Sequence, residues 1–187
     1  MKPNQYLIDL YRNYDEDSRL AQQHGAVEFL TAMRYIRKYL KPGGRVLEIG
    51  AGTGRYSHTP ARQGYAVDAV ELIGHNIEVF RRNTLPDENI SIIQGNALDL
   101  SAFPDHPYDV TLLLGPLYHL YTKEDKRQAI RVTKQGGIIF AAYVISEGCL
   151  YAGSYRRYGS RDVSAIFEIS FFDLRARRFV RYHEPCR

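Results

Sequence analysis

"VLEIGAGTGRY", residues 46–56, decides how this chain is read. An apolar run carrying one acid, Glu48, breaks into glycines at alternate positions, Gly50, Gly52 and Gly54. Glycine has no Cβ and reaches positive φ cheaply, so such a loop brings backbone N–H groups close to a ligand. "RVLEI" before it reads as a short buried strand, and a helix is expected from about Arg55 to Gln63. Pro60 falls inside that helix, where the missing backbone donor costs about 3 kcal/mol unless the helix bends.

Outward from the loop, the chain alternates between two periods. Upstream, "GAVEFLTAMRYIRKYL" puts Ala26, Phe29, Leu30, Met33, Ile36, Tyr39 and Leu40 on one helical face, and "KPGG" stops it. Downstream, "YAVDAVEL", "NISIIQG", "YDVTLLLG" and "GGIIFAAYVI" read as strands, the fourth strand of the chain being bounded by Gly115 and Pro116. Between them "IGHNIEVFRRNTL" is a helix, and Thr122 with Asp125 caps another running to about Lys134. This alternation predicts an α/β fold, a doubly wound and mainly parallel sheet with helices on both faces. Ligands of such sheets sit beyond the carboxyl ends of the strands where the strand order reverses, and the glycine loop lies there.

Past about Ser146 the period is lost. "SAIFEISFFDL" and "RRFVRYHE", dominated by β-branched and aromatic residues, are expected to pair as an antiparallel hairpin. The organisation read from this is one domain over 1–187. It comprises an N-terminal cap helix region (1–24), a cofactor-binding core (25–146) and a reduced C-terminal region (147–187).

Composition bounds the remaining choices. At 187 residues and 44% apolar, one globular domain with a sizeable core is expected. The N-terminus lacks the apolar stretch of a secretory signal, so the cytoplasm is the default. The longest wholly apolar run is too short to span a bilayer, so no membrane partner is expected. Cys149 and Cys186 are isolated, and neither they nor the six histidines show metal-ligand spacing. Residues 151–187 hold eight arginines against four acids and so supply the whole net charge of +4. No long alternation of basic and aromatic residues argues for a nucleic-acid groove.

Three nucleotide cradles compete for the loop. A phosphate loop of the Walker type needs lysine and Ser/Thr after its last glycine, whereas Arg55 and Tyr56 follow here. A dinucleotide loop reads G-x-G-x-x-G, and its third glycine would fall at Arg55, which weakens the reading of a NAD-dependent oxidoreductase. The third cradle fits. Glu48, Gly50, Ala51, Gly52, Thr53 and Gly54 together resemble motif I of the class I S-adenosylmethionine-dependent methyltransferases, and the resemblance continues over roughly residues 14–146. It implies S-adenosyl-L-methionine as cofactor, wrapped by the loop. It implies that Glu71, ending the second strand with Leu72 beside it, accepts hydrogen bonds from the ribose hydroxyls. "GNALDL" resembles the turn where Asn96 and Ala97 would meet adenine, "LLLGPLYHL" the segment in which Leu114 and Gly115 line the site, and "VTKQGG" the turn before the fifth strand. Tyr14 and Arg19 are further candidates, closing over the cofactor from the leading helix.

Methyl transfer by such an enzyme asks the protein for position, desolvation and sometimes a base. Tyr118 and His119, just past the fourth strand, are candidates to face the methyl group, with His119 suited to take a proton near neutral pH. Amino-methylating nucleic-acid enzymes carry an Asp/Asn-Pro-Pro-aromatic run where this chain has Leu114 to Tyr118, and Pro185-Cys186 is misplaced for cytosine-C5 chemistry. A small-molecule substrate is therefore expected, and nucleic acid is not. The reduced C-terminal region leaves two alternatives open: an enzyme whose substrate site a second copy or another partner completes, and a non-catalytic cofactor-binding or interaction protein.

Overall fold

A computed structural model describes residues 5–12, 23–103, 108–131, 137–142, 169–173 and 178–181. The sheet grows outward from the strand that carries the glycine loop. β1 (Arg45–Ile49) pairs in parallel with β2 (Ala66–Glu71) on one side and β4 (Val110–Leu113) on the other. β3 (Ile90–Gln94) continues beyond β2, and β5 (Ile138–Ala142) beyond β4, both parallel. β6 (Ile169–Asp173) then runs antiparallel to β5, and β7 (Arg178–Arg181) antiparallel to β6. The order is β3-β2-β1-β4-β5-β6-β7. Central strands flanked on both edges and covered on both faces bury nearly every position, which is why β1 and β4 read as almost unbroken apolar runs. The expected C-terminal hairpin is present, and it covers the edge that β5 would otherwise leave unpaired.

Helices α1 (Gln5–Arg12), α2 (Gln23–Ile36), α3 (Arg55–Ala61), α4 (Gly74–Asn83) and α5 (Lys123–Arg131) complete the described elements. On one face, Met33 and Ile36 of α2 and Tyr56 and Ala61 of α3 pack over Val46, Val110 and Phe140. Phe80 of α4 covers Ala69. On the other face, Leu100, Phe103, Leu117 and Ala129 of α5 pack over Leu47, Leu113 and Ile139. This is the doubly wound α/β sheet.

Three local expectations change. Leu30, placed on the inner face of α2, is 65% exposed, whereas Ala32 and Tyr35 are buried. The seam follows Phe29, Ala32, Met33 and Ile36, and at about 100° per residue Leu30 is carried off it. The same helix stops at Ile36 rather than Leu40, in a turn that Lys38 and Tyr39 close through the carbonyls of Tyr35 and Ile36. Pro60 does lie inside α3, but the helix ends one residue later, and the Pro60 carbonyl accepts from Gln63 and Tyr65 (2.9 and 3.2 Å). At α5 the Asp125 N–H donates to Thr122 Oγ1 at 3.0 Å, the cap read from sequence. Residues 132–134, Tyr14, Arg19, Cys149 and Cys186 lie outside the described residues. Among the described residues, no helix is long and apolar enough to cross a membrane.

Candidate functional site

The alternate glycines are demanded by backbone geometry: Gly50, Gly52 and Gly54 take φ of +75°, +56° and +95°. Gly50 has a second reason. A Cβ there would lie 2.5 Å from Cγ of Pro116, so its absence lets the turn after β4 close on the loop after β1. The N–H groups of Gly50, Ala51, Gly52 and Gly54 find partners within the chain. Gly50 and Ala51 both donate to the Val70 carbonyl (2.8 and 3.1 Å), and Gly54 donates to the Ala51 carbonyl (2.9 Å). Gly52 donates to Oε2 of Glu71 at 2.7 Å. The donors of Gly50, Ala51 and Gly52 fasten the loop to the end of β2 and that of Gly54 closes the loop on itself, because a tight turn packed on a neighbouring strand must satisfy its own backbone.

Two buried carboxyl groups meet at this loop. Glu71 accepts from Gly52 through one oxygen and from the Ile73 N–H through the other at 2.8 Å, with the Asn76 side chain and the Leu72 backbone alongside. Burial raises its pKa, while these hydrogen bonds oppose the rise. Glu48, 3% exposed, receives the Ser57 hydroxyl of α3. Burial pushes Glu48 up to about 8, against the pull of the Ser57 bond and with the charge of Glu71 adding to it. A cation brought alongside would favour ionisation of both acids. Behind the loop, His58 Nδ1 lies 2.6 Å from Glu88, whose other oxygen accepts from Arg62 at 2.6 Å. Burial would raise the Glu88 pKa, but its bonds to Arg62 and His58 outweigh that and hold it below the usual range.

Among the described residues, the other predicted ones lie in the loop, beside Glu71, in the turn after β3 and in the segment after β4. Thr53 is buried in the loop. The Gly95 N–H donates to the Glu71 carbonyl at 3.0 Å, which sets Asn96 and Ala97 next to the end of β2. Oδ1 of Asn96 accepts from the Leu98 N–H at 3.0 Å and so shapes its own turn. The Leu72 carbonyl accepts from Gln94 at 3.1 Å. Leu114 packs against the core beneath α2 and α3. Gly115 opens a single 3₁₀ turn, Pro116–Tyr118, in which Tyr118 donates to the Gly115 carbonyl and His119 to that of Pro116 (3.2 and 3.0 Å). Tyr118 is 38% exposed. His119 is half-buried, with Nε2 2.8 Å from the hydroxyl of Tyr11 on α1.

Sequence reasoning missed four contributors. Ser57 and Asn76 hold the acids, Pro116 buttresses Gly50, and Tyr11 meets His119. Only Pro116 had a signal, as a rigid residue directly after a strand-ending glycine.

The glycine loop, the acid at the end of β2 and the turn after β4 converge at the strand-order switch around β1, where an open α/β sheet holds its ligand. A family model described as a methyltransferase domain matches residues 47–141. The chain belongs to the class I S-adenosylmethionine-dependent methyltransferases, and S-adenosylmethionine is the cofactor that membership assigns to it. Among curated proteins, it is 31% identical over 123 residues to an uncharacterized methyltransferase of Bacillus licheniformis, covering 63% of this chain and 55% of that one. It is 33% identical over 98 residues to a demethylmenaquinone methyltransferase of Clavibacter sepedonicus, covering 52% and 40% of the two chains. The fold is similar to that of the PH0226 protein from Pyrococcus horikoshii, with a TM-score of 0.65, 20% identity, and coverage of 93% of this chain and 82% of that chain. The chain spans about half the length of the curated relatives it matches.

Proposed function

We propose that this chain transfers a methyl group from S-adenosylmethionine to a small-molecule acceptor. The observation that carries the reading is the meeting of Glu71 with the Gly52 N–H, which joins the acid ending β2 to the glycine loop at the switch point. The similarity to a demethylmenaquinone methyltransferase supports a small molecule as the acceptor.

When bound, the cofactor supplies an electrophilic methyl group on a sulfonium centre, so the chain's own work is to hold, orient and desolvate. The residues present suit that group. Glu71 would offer carboxylate oxygens to a ribose diol, since a carboxylate has about four acceptor places and Gly52 and Ile73 occupy two of them. Glu48 and Glu71 provide a negative environment for a cation once ionised. Gly50, Ala51, Gly52, Thr53 and Gly54 would hold the cofactor together with Leu72, Asn96, Ala97, Leu114 and Gly115. His119 would take a proton from the acceptor, with Tyr118 next to it in the chain. Mass spectrometry of the purified protein tests the reading: retained S-adenosylmethionine or S-adenosylhomocysteine supports it, and retained NAD in their place refutes it.

A further inference from the structure

His119 does not stand alone. It caps the 3₁₀ turn that Pro116 begins, and its N–H donates to the Pro116 carbonyl at 3.0 Å. Pro116 packs on Gly50, so this hydrogen bond ties His119 to the residue that meets the glycine loop. The imidazole of His119 meets Tyr11, 108 residues away, whose hydroxyl lies 2.8 Å from Nε2. The two rings stand edge to face, centroids 5.6 Å apart at 80°. Tyr11 comes from α1, whose half-buried Leu7, Ile8 and Tyr11 lie on one side of the helix.

The chemistry of this contact is that of a general base and its substrate. A phenol hydroxyl within hydrogen-bond reach of an imidazole nitrogen is the arrangement required to remove a proton from an oxygen nucleophile. Between a phenol and a neutral imidazole, the better donor is the hydroxyl and the better acceptor is the nitrogen, as their ordinary pKa values of about 10 and 6.5 indicate. With the Tyr11 O–H as the donor, His119 carries its proton on Nδ1. Nε2 is engaged by the chain's own phenol.

Resting on the reading of this site as a methyltransferase centre, we propose that Tyr11 is an internal stand-in for the acceptor. The acceptor is a hydroxylated aromatic ring that takes the place of the Tyr11 phenol against His119 when α1 yields. In the transfer the acceptor's O–H proton passes to Nε2 as its oxygen bonds to the methyl carbon. The S–CH₃ bond breaks with its electron pair left on sulfur, giving an aryl methyl ether and a neutral thioether, and the imidazolium then returns its proton to water.

The test uses p-cresol, the Tyr side chain cut free, on the full chain with Tyr11→Ala and Tyr11→Phe. Nitrogen-15 spectra of the His119 ring, assigned through His119→Gln, should show Nε2 unprotonated in the parent at pH 8. In Tyr11→Phe, which keeps the ring but not the hydroxyl, they should show the Nε2–H form. In Tyr11→Ala, p-cresol should restore the parent spectrum and bind about tenfold more tightly than it binds the parent chain. Toluene should bind about three- to tenfold less tightly than p-cresol, the span of one hydrogen bond. With labelled S-adenosylmethionine added, Tyr11→Ala should convert p-cresol to its methyl ether. Equal p-cresol binding by parent and variant, toluene binding as well as p-cresol, or a His119 spectrum indifferent to Tyr11→Phe overturns the proposal. These spectra need no cofactor, so they are read even if a parallel titration shows that S-adenosylmethionine does not bind, a result that would refute the methyltransferase reading alone.

Discussion

Replacing Glu48 with glutamine removes a buried acid from the strand that carries the cofactor loop and keeps its shape. Glu48 is held protonated by burial, its pKa raised from 4.5 to about 8. Between those two values the unfolded chain has released this proton and the folded chain keeps it. The folded state then binds more protons, so its stability falls as pH rises through the window and levels off above about 8. At about 1.4 kcal/mol per pH unit the full window is on the order of 5 kcal/mol, of which about 3 kcal/mol is lost by pH 7. Glu48→Gln has no such proton to hold, and the other titrating groups are common to both proteins. The difference in unfolding free energy between parent and variant should therefore move steadily in the variant's favour from pH 5 to 8. Urea unfolding of both proteins at each pH unit measures it. Parallel stability curves across that range would show that Glu48 ionises in the folded protein as it does in the unfolded one, and would refute the burial argument.

Glu71→Ala removes the acid that grips Gly52 and should weaken S-adenosylmethionine binding by about 1.5–3 kcal/mol, the range for hydrogen bonds to a charged acceptor; equal affinity in calorimetry would remove Glu71 from the site. Asn96→Asp keeps an oxygen for the Leu98 N–H and offers adenine a charged acceptor, so binding should be unchanged or up to about fivefold tighter, and a marked loss in the same titration would take Asn96 away from adenine. Gly54→Ala would force a Cβ to 2.5 Å from the Phe80 ring and 2.6 Å from His58 at a φ of +95°, so thermal unfolding should show a loss of about 2–4 kcal/mol. An unchanged midpoint would mean that the loop can shift away from α4.

The sheet was legible because buried central strands leave apolar runs, and the loop because its glycines mark positive φ. What could not be read is what depends on neighbours brought from elsewhere. Leu30 satisfied a three-and-four pattern, yet which flank of α2 the sheet would bury is set by Tyr56 and Phe140 across the interface. Glu71 was placed at the end of β2 from its position alone, but its hold on Gly52 needed the loop to fold back over β2, which also turned the loop donors inward. Asn96 was read as an acceptor for adenine, and its oxygen already serves Leu98 two residues on, a local bond no apolar pattern reports. His119 was found from its place after β4, while its partner Tyr11 sits on a helix at the far end of the chain.

The central claim, that this loop and Glu71 hold S-adenosylmethionine, is tested most directly by calorimetric titration of the purified chain with S-adenosylmethionine, S-adenosylhomocysteine and NAD in turn. Saturable one-to-one binding of the first two, with no heat from NAD, is the predicted result. Binding of NAD with none of either sulfur compound would contradict it.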